Sequence, residues 1–193
     1  TPLYSSAASD VYKRQVVAKG ITSFQDAGAS FEVIKRMKGM IDRGRLHVRL
    51  WVMIHGNDSA ALADNLDRTR VVGYGDNRLT VRAIKMLIDG ALGSRGAWLL
   101  EPYSDQPNSV GLNTTSIASI KEAAQLAIDH NYQLAVHAIG DRANREVLNI
   151  YEEAFRKNNR HGETLRWRIE HAQHLSVADI PRFGKLGVIA SMQ

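Results

Sequence analysis

Apolar residues recur along this chain in two alternating rhythms. Short apolar runs rich in β-branched residues are separated by longer stretches whose apolar positions lie three and four apart. "VVAKGITSFQDAG" from Val16 reads as a buried strand ending near Gln25. "SFEVIKRMKGMIDRG" follows as a helix, with Ser30 as its cap and Phe31, Ile34, Met37 and Ile41 on one stripe. "RLHVRLWVMIHG" predicts a strand, and "NDSAALADNLDRTR" a helix capped from Asn57, Asp58 or Ser59. "LTVRAIKMLIDG" predicts a strand ending near Asp89, before a Gly-rich loop that runs to about Asn113. Beyond the loop come a helix in "TTSIASIKEAAQLAIDH", a strand in "YQLAVHAIGD" and a helix in "RANREVLNIYEEAFRKN". "LRWRIEHAQ", "SVADIPRFGKLG" and "VIASMQ" add a strand, a short helix and the start of another strand.

Six strands with five helical crossovers predict an α/β fold with a parallel sheet. An open dinucleotide-binding sheet would show a Gly fingerprint after its first strand. "GYGDNR" at Gly73 has Arg78 where a third glycine belongs, and it precedes a strand instead of a helix. The expectation is therefore an incomplete (β/α)8 TIM barrel.

Composition narrows the partners. The chain is 44% hydrophobic and 23% charged, as in ordinary globular proteins. Its net charge of +5 is scattered among acids without a Lys/Arg block, so no nucleic-acid partner is expected. The absence of cysteine excludes disulfides and thiolate metal sites and favours a cytoplasmic setting. No apolar run reaches the roughly 20 residues that span a bilayer, so no membrane partner is expected. The oligomeric state is not legible.

One stretch fits neither rhythm. "SSAASDVYKRQ" (Ser5–Gln15) back-translates in frame as the string of a transposase-type sequencing adapter. Residues 1–15 are therefore expected to be an artefactual leader that packs little, with a partial barrel domain over 16–193. The other end stops inside the apolar run "GVIASMQ", so the chain is expected to be a fragment, inactive as it stands.

In such barrels the active site is built at the carboxyl ends of the strands. Three residues capable of chemistry fall there: Lys85, His137 and His171. The two histidines lie 34 residues apart, one strand–helix unit. Neutral imidazoles from neighbouring strands suit zinc or a similar ion. A buried lysine sheds its proton more readily, and the neutral amine takes up carbon dioxide as a carbamate, which bridges metals through two oxygens. The alternative for Lys85 is a buried lysine paired with a carboxylate.

"GITSFQDAG", "IKMLIDGALGSRGAW", "AVHAIGDRAN", "RIEHAQ" and "LGVIASMQ" together resemble signature segments of the amidohydrolase superfamily. The likeness is to the family-3 branch that includes N-substituted formamide deformylases. The resemblance implies a metal-dependent hydrolase of carbon–nitrogen bonds other than peptide bonds, such as amides or N-substituted formamides. It implies Lys85 as a carboxylated, bridging ligand and His137 and His171 as ligands of one of one or two divalent ions, zinc favoured. The family opens with a His-x-His pair on its first strand and places an aspartate after its eighth. Neither is found here, so the strands present should be the second to the seventh. The alternative is a metal-free barrel that acts as a binding protein or isomerase.

Four further residues are candidate substrate contacts: His55 after "VMI", Asp89 and Arg95 flanking the Gly-rich loop, and His174. Each also has a plain reading. His55 and His174 suit a rim, and Asp89 before Gly90 suits a turn. Asp141 suits a helix cap. His47, His130 and His161 read as surface residues.

Overall fold

A computed structural model describes residues 15–192. Its contacts divide the chain into two compact units. The first takes in the chain up to Ile54 and Asn65–Arg82. The second takes in His55–Asp64 and the chain from Ala83 onward. Residues 1–14, most of the expected leader, lie outside the described residues.

In the first unit, β1 (Ser23–Ala29) runs parallel to β2 (Arg49–His55), in the register Ser23↔Arg49 to Asp26↔Val52. β1 departs from the buried strand that its apolar lead-in predicts. Residues 15–18 form a helical turn, so Val16 and Val17 never enter the strand. What remains is "SFQDAGA", polar and small, and Phe24 is 40% exposed. Helix α1 (Phe31–Asp42) begins where Ser30 accepts the Val33 N–H at 3.3 Å. Its predicted stripe faces inward, with Ile34 buried and Phe31, Met37 and Ile41 half-buried. α2 (Ser59–Thr69) follows β2, and Asp58 is its cap, accepting the Ala61 N–H at 3.0 Å.

The described residues hold one strand more than the six predicted. β3 (Val71–Gly73) pairs antiparallel with the start of β4 (Leu79–Leu87) at Val71↔Val81. The "GYGDNR" stretch reverses the chain between them, with positive φ at Gly73, Gly75, Asp76 and Asn77. Gly75 is required twice over: its φ is +61°, and a Cβ there would lie 2.0 Å from Ile41 Cγ2.

In the second unit, the end of β4, β5 (Gln133–Ala138), β6 (Arg168–His171) and β7 (Ile189–Ser191) pair in parallel, in that order. α3 (Ile117–Asp129) is capped by Ser116, which accepts the Ser119 N–H. α4 (Asp141–Lys157) buries Val147, Leu148, Ile150, Tyr151 and Phe155. Tyr151 and Phe155 meet Trp167 at ring centroids 4.9 and 5.0 Å away. The polar ends of this cluster are satisfied, since Tyr151 donates to the Arg168 carbonyl at 2.9 Å and Trp167 to the Tyr132 carbonyl at 3.1 Å. A four-residue turn, α5 (Gly162–Leu165), precedes β6, and α6 (Ile180–Leu186) precedes β7. Among the described residues no helix is long and apolar enough to cross a membrane.

Candidate functional site

Strand period and register sort the second unit's sheet into two faces. The pairs Lys85↔Ala135 and Ala135↔Arg168 set one face, and Leu87↔His137 and His137↔Glu170 continue it. Ile84, Met86, Leu134, Val136, Ala138 and Ile169 fall on the other face and are fully buried. One face is thus pure core, and the other carries Lys85, His137, Arg168 and Glu170.

By that count His171, opposite Ala138, belongs to the apolar face. It leaves it. Its φ is +75° and that of Ala172 is +42°, two consecutive left-handed residues other than glycine. The regular alternation ends there, and the His171 ring lies 4.5 Å from that of His137, centroid to centroid, at 74°. Strained backbone of this kind concentrates at functional sites.

The His137 side chain is only 13% exposed. Burial, then the charges of Lys85 and His171, push its pKa down to about 4, so the ring is neutral at pH 7. Lys85 is 5% exposed, and burial brings its amine down to about 8, against the pull of Glu170. Its hydrogen bond goes to the Met86 carbonyl at 3.1 Å. Glu170 instead meets Arg168 at 2.6 Å, so among the described residues Lys85 has no carboxylate partner. That departs from the paired-lysine alternative.

The four further candidates are dispersed. Asp89 is 1% exposed, far from a simple turn residue. It accepts backbone N–H groups from Trp98, Ile139 and Gly140 at 2.9, 3.0 and 2.8 Å. Burial raises its pKa, while these donors pull the other way. Arg95 is exposed and bound to Asp105 at 2.7 Å, which ties the loop to itself. His55 and His174 are exposed. His174 is placed by its backbone, donating to the Ile139 carbonyl and accepting from Asn144. Asp141 is the first helical residue, after Gly140 at the cap position, and its Oδ1 accepts the Leu100 N–H at 2.9 Å. His47 and His161 are exposed, and His130 is half-buried at the end of α3.

Sequence reasoning missed Arg168 and Glu170. Their signal is the alternation in "WRIEH", where charged residues two apart flank a buried Ile169. It also missed the fully buried Asn144, which donates to the carbonyls of Ala138, Gly140 and His174 and so braces the ends of β5 and β6. A cavity of about 430 Å³ opens nearby, lined by Gly56, Asn57, Ser59, Leu87, Thr114 and Ser119 and by neither histidine.

The donor set suits a divalent ion as far as it goes: two imidazoles, His137 held neutral, beside a lysine inclined to lose its proton. It is not a closed site. No group of three or more His, Asp or Glu residues that could hold an ion occurs among the described residues.

Comparison with known proteins fits this picture. "LONG AFTER FAR-RED 3" of Arabidopsis thaliana is 40% identical over 115 residues, 60% of this chain and 19% of that protein. YtcJ of Bacillus subtilis (strain 168), which carries an amidohydrolase name, is 37% identical over 111 residues, 58% of this chain and 20% of its own. The chain therefore spans about a fifth of the length of these curated relatives. An uncharacterized metal-dependent hydrolase from Pyrococcus furiosus superposes with a TM-score of 0.76 at 27% identity, over 94% of this chain and 36% of that one. One from Pyrococcus horikoshii OT3 gives 0.78 at 23%, over 100% and 38%. The fold class is accordingly α/β, part of a (β/α)8 barrel. The model of the amidohydrolase family matches residues 10–193, starting inside the Ser5–Gln15 stretch, and with nearly its whole length matched the chain belongs to that family.

Proposed function

We propose that the protein carrying these residues is a metal-dependent hydrolase of carbon–nitrogen bonds other than peptide bonds, with amides or N-substituted formamides as the substrate class. The observation that supports it most is the convergence of His137 and His171, 4.5 Å apart at the ends of adjacent parallel strands. Family membership and the likeness to metal-dependent hydrolases support it too. In this reading His137 and His171 hold a divalent ion, zinc favoured, and Lys85 joins them as a carbamate. A bound ion of this kind polarises a carbonyl and lowers the pKa of its water.

The chain's own residues set the conditions. Burial keeps the His137 lone pair available at neutral pH. Burial also brings part of the Lys85 population to the free amine that carbon dioxide requires. The wall of Ile84, Met86, Leu134 and Val136 behind them keeps the strand ends fixed and dry on that side.

The test has two arms. The chain is dialysed against Co²⁺ with bicarbonate, and its metal content and visible spectrum are read. Retention should fall more than tenfold in the His137→Ala/His171→Ala double variant. The whole protein is then assayed on formamides, acyl amides and esters. Metal-dependent turnover of esters alone would remove the carbon–nitrogen assignment. Turnover without metal would favour the metal-free alternative.

A further inference from the structure

Asp89 is a buried charge whose surroundings account for most of it, but not all. A carboxylate offers about four acceptor positions. Three are filled by the N–H groups of Trp98 and Gly140 on Oδ2 and of Ile139 on Oδ1. The one left, on Oδ1, lies 3.4 Å from Nε2 of His137. That nitrogen is itself buried and makes no hydrogen bond in normal geometry. The gap is only slightly beyond the usual 2.7–3.2 Å for N–H···O, and a small rotation of the ring closes it.

The chemistry decides which way the ring is protonated. A lone pair on Nε2 would face a buried carboxylate and be repelled, whereas an N–H there is attracted and fills the last acceptor position. A neutral imidazole carries one proton, so a proton on Nε2 leaves Nδ1 bare. The same carboxylate also holds the backbone just after His137, at Ile139 and Gly140. The loop residue it grips, Trp98, closes over Gly140 so tightly that a Cβ there would lie 2.0 Å from the Trp98 carbonyl oxygen. Strand end, loop and ring are thus tied to one side chain.

We propose that Asp89 is a positioning residue for His137: its Oδ1 takes the Nε2–H and so fixes Nδ1 as the nitrogen with the free lone pair. This rests on the reading of His137 as a metal ligand and adds the tautomer in which it would act, the carboxylate–histidine arrangement that orients ligands in metal sites. Asp89 does so without touching substrate.

The experiment uses the chain itself, labelled with ¹⁵N-histidine, metal-free at pH 7. Long-range ¹H–¹⁵N correlation reads the tautomer of each imidazole, and Co²⁺ titration reads affinity. Wild type should show His137 as the Nε2–H form. Asp89→Asn should give a mixture of forms and weaken Co²⁺ binding 10- to 100-fold. An Nδ1–H form in wild type overturns the proposal. So does an Asp89→Asn protein with the wild-type tautomer and Co²⁺ affinity within threefold. Should Asp89→Asn fail to fold, the wild-type tautomer decides alone. Should wild type bind no Co²⁺, the metal reading fails separately, and an Nε2–H form that is lost in the variant still supports the Asp89–His137 pair.

Discussion

A histidine whose pKa falls from 6.5 to about 4 on folding makes the fold sensitive to acid. Between those values the unfolded chain binds a proton that the folded chain refuses. His137 therefore contributes stability that is present above pH 6.5 and lost as pH falls toward 4. In the metal-free chain this amounts to on the order of 2–3 kcal/mol between pH 4 and pH 7. Urea unfolding at the two pH values should show it, and His137→Gln should remove that increment. Lys85 follows the same sign in another window. Its folded pKa of about 8 lies below the ordinary 10.5, so stability rises with pH between the two. At pH 7 its ammonium is buried with one carbonyl acceptor. Lys85→Met, similar in length and without charge, should raise the stability of the metal-free chain at pH 7 by about 1–3 kcal/mol. A melting temperature that falls instead would mean that the amine is better solvated than its surroundings indicate.

The end of β6 is where an element, and not a single side chain, makes the site. His171 sits at φ +75°, a conformation that costs a residue with a Cβ about 1–2 kcal/mol and glycine almost nothing. His171→Gly should therefore be more stable than His171→Ala by about 1 kcal/mol in denaturant unfolding, although both lose the imidazole. Equal stabilities would show that the strand end relaxes when the ring is gone. This corner also marks how far the sequence could be read. The strand-end placement of His137 and His171 was legible from the 34-residue step between them. The face of His171 was not, because a period of two assigns it to the core and only the left-handed backbone reverses that. Helix α1 was legible down to its Ser30 cap, since cap and stripe agree. β1 was misplaced, because Val16 and Val17 are as apolar in a helical turn as in a strand. β3 has three residues, too few to carry any period. Asp89 was misread because an Asp–Gly pair signals a turn, while its burial depends on backbone donors up to 51 residues away in sequence.

Over the whole molecule, the groups with chemistry are unevenly placed: Lys85, Asp89, His137 and His171 all belong to the second unit, and the β3–β4 hairpin turn and α1 to the first. An ion that binds only the folded site stabilises whatever must stay folded to hold it, by about 2.7 kcal/mol at a hundredfold excess over its Kd. If the metal reading is right, that stabilisation should be local before it is global. Amide hydrogen exchange in saturating Zn²⁺ should slow at Leu134–Ala138, Arg168–His171 and the loop amides of Trp98, Ile139 and Gly140 that Asp89 accepts. The amides of β1 and of Val71–Gly73 should exchange as they do without the ion, because local opening there leaves the ligands in place. Protection spread evenly over both units would mean that they open together, and the division of the chain would lose its thermodynamic meaning. Protection at neither would leave His137 and His171 as two neighbouring rings with no ion to share. The His137→Ala/His171→Ala variant provides the control: whatever protection zinc still confers on it arises elsewhere and is subtracted before the site is credited.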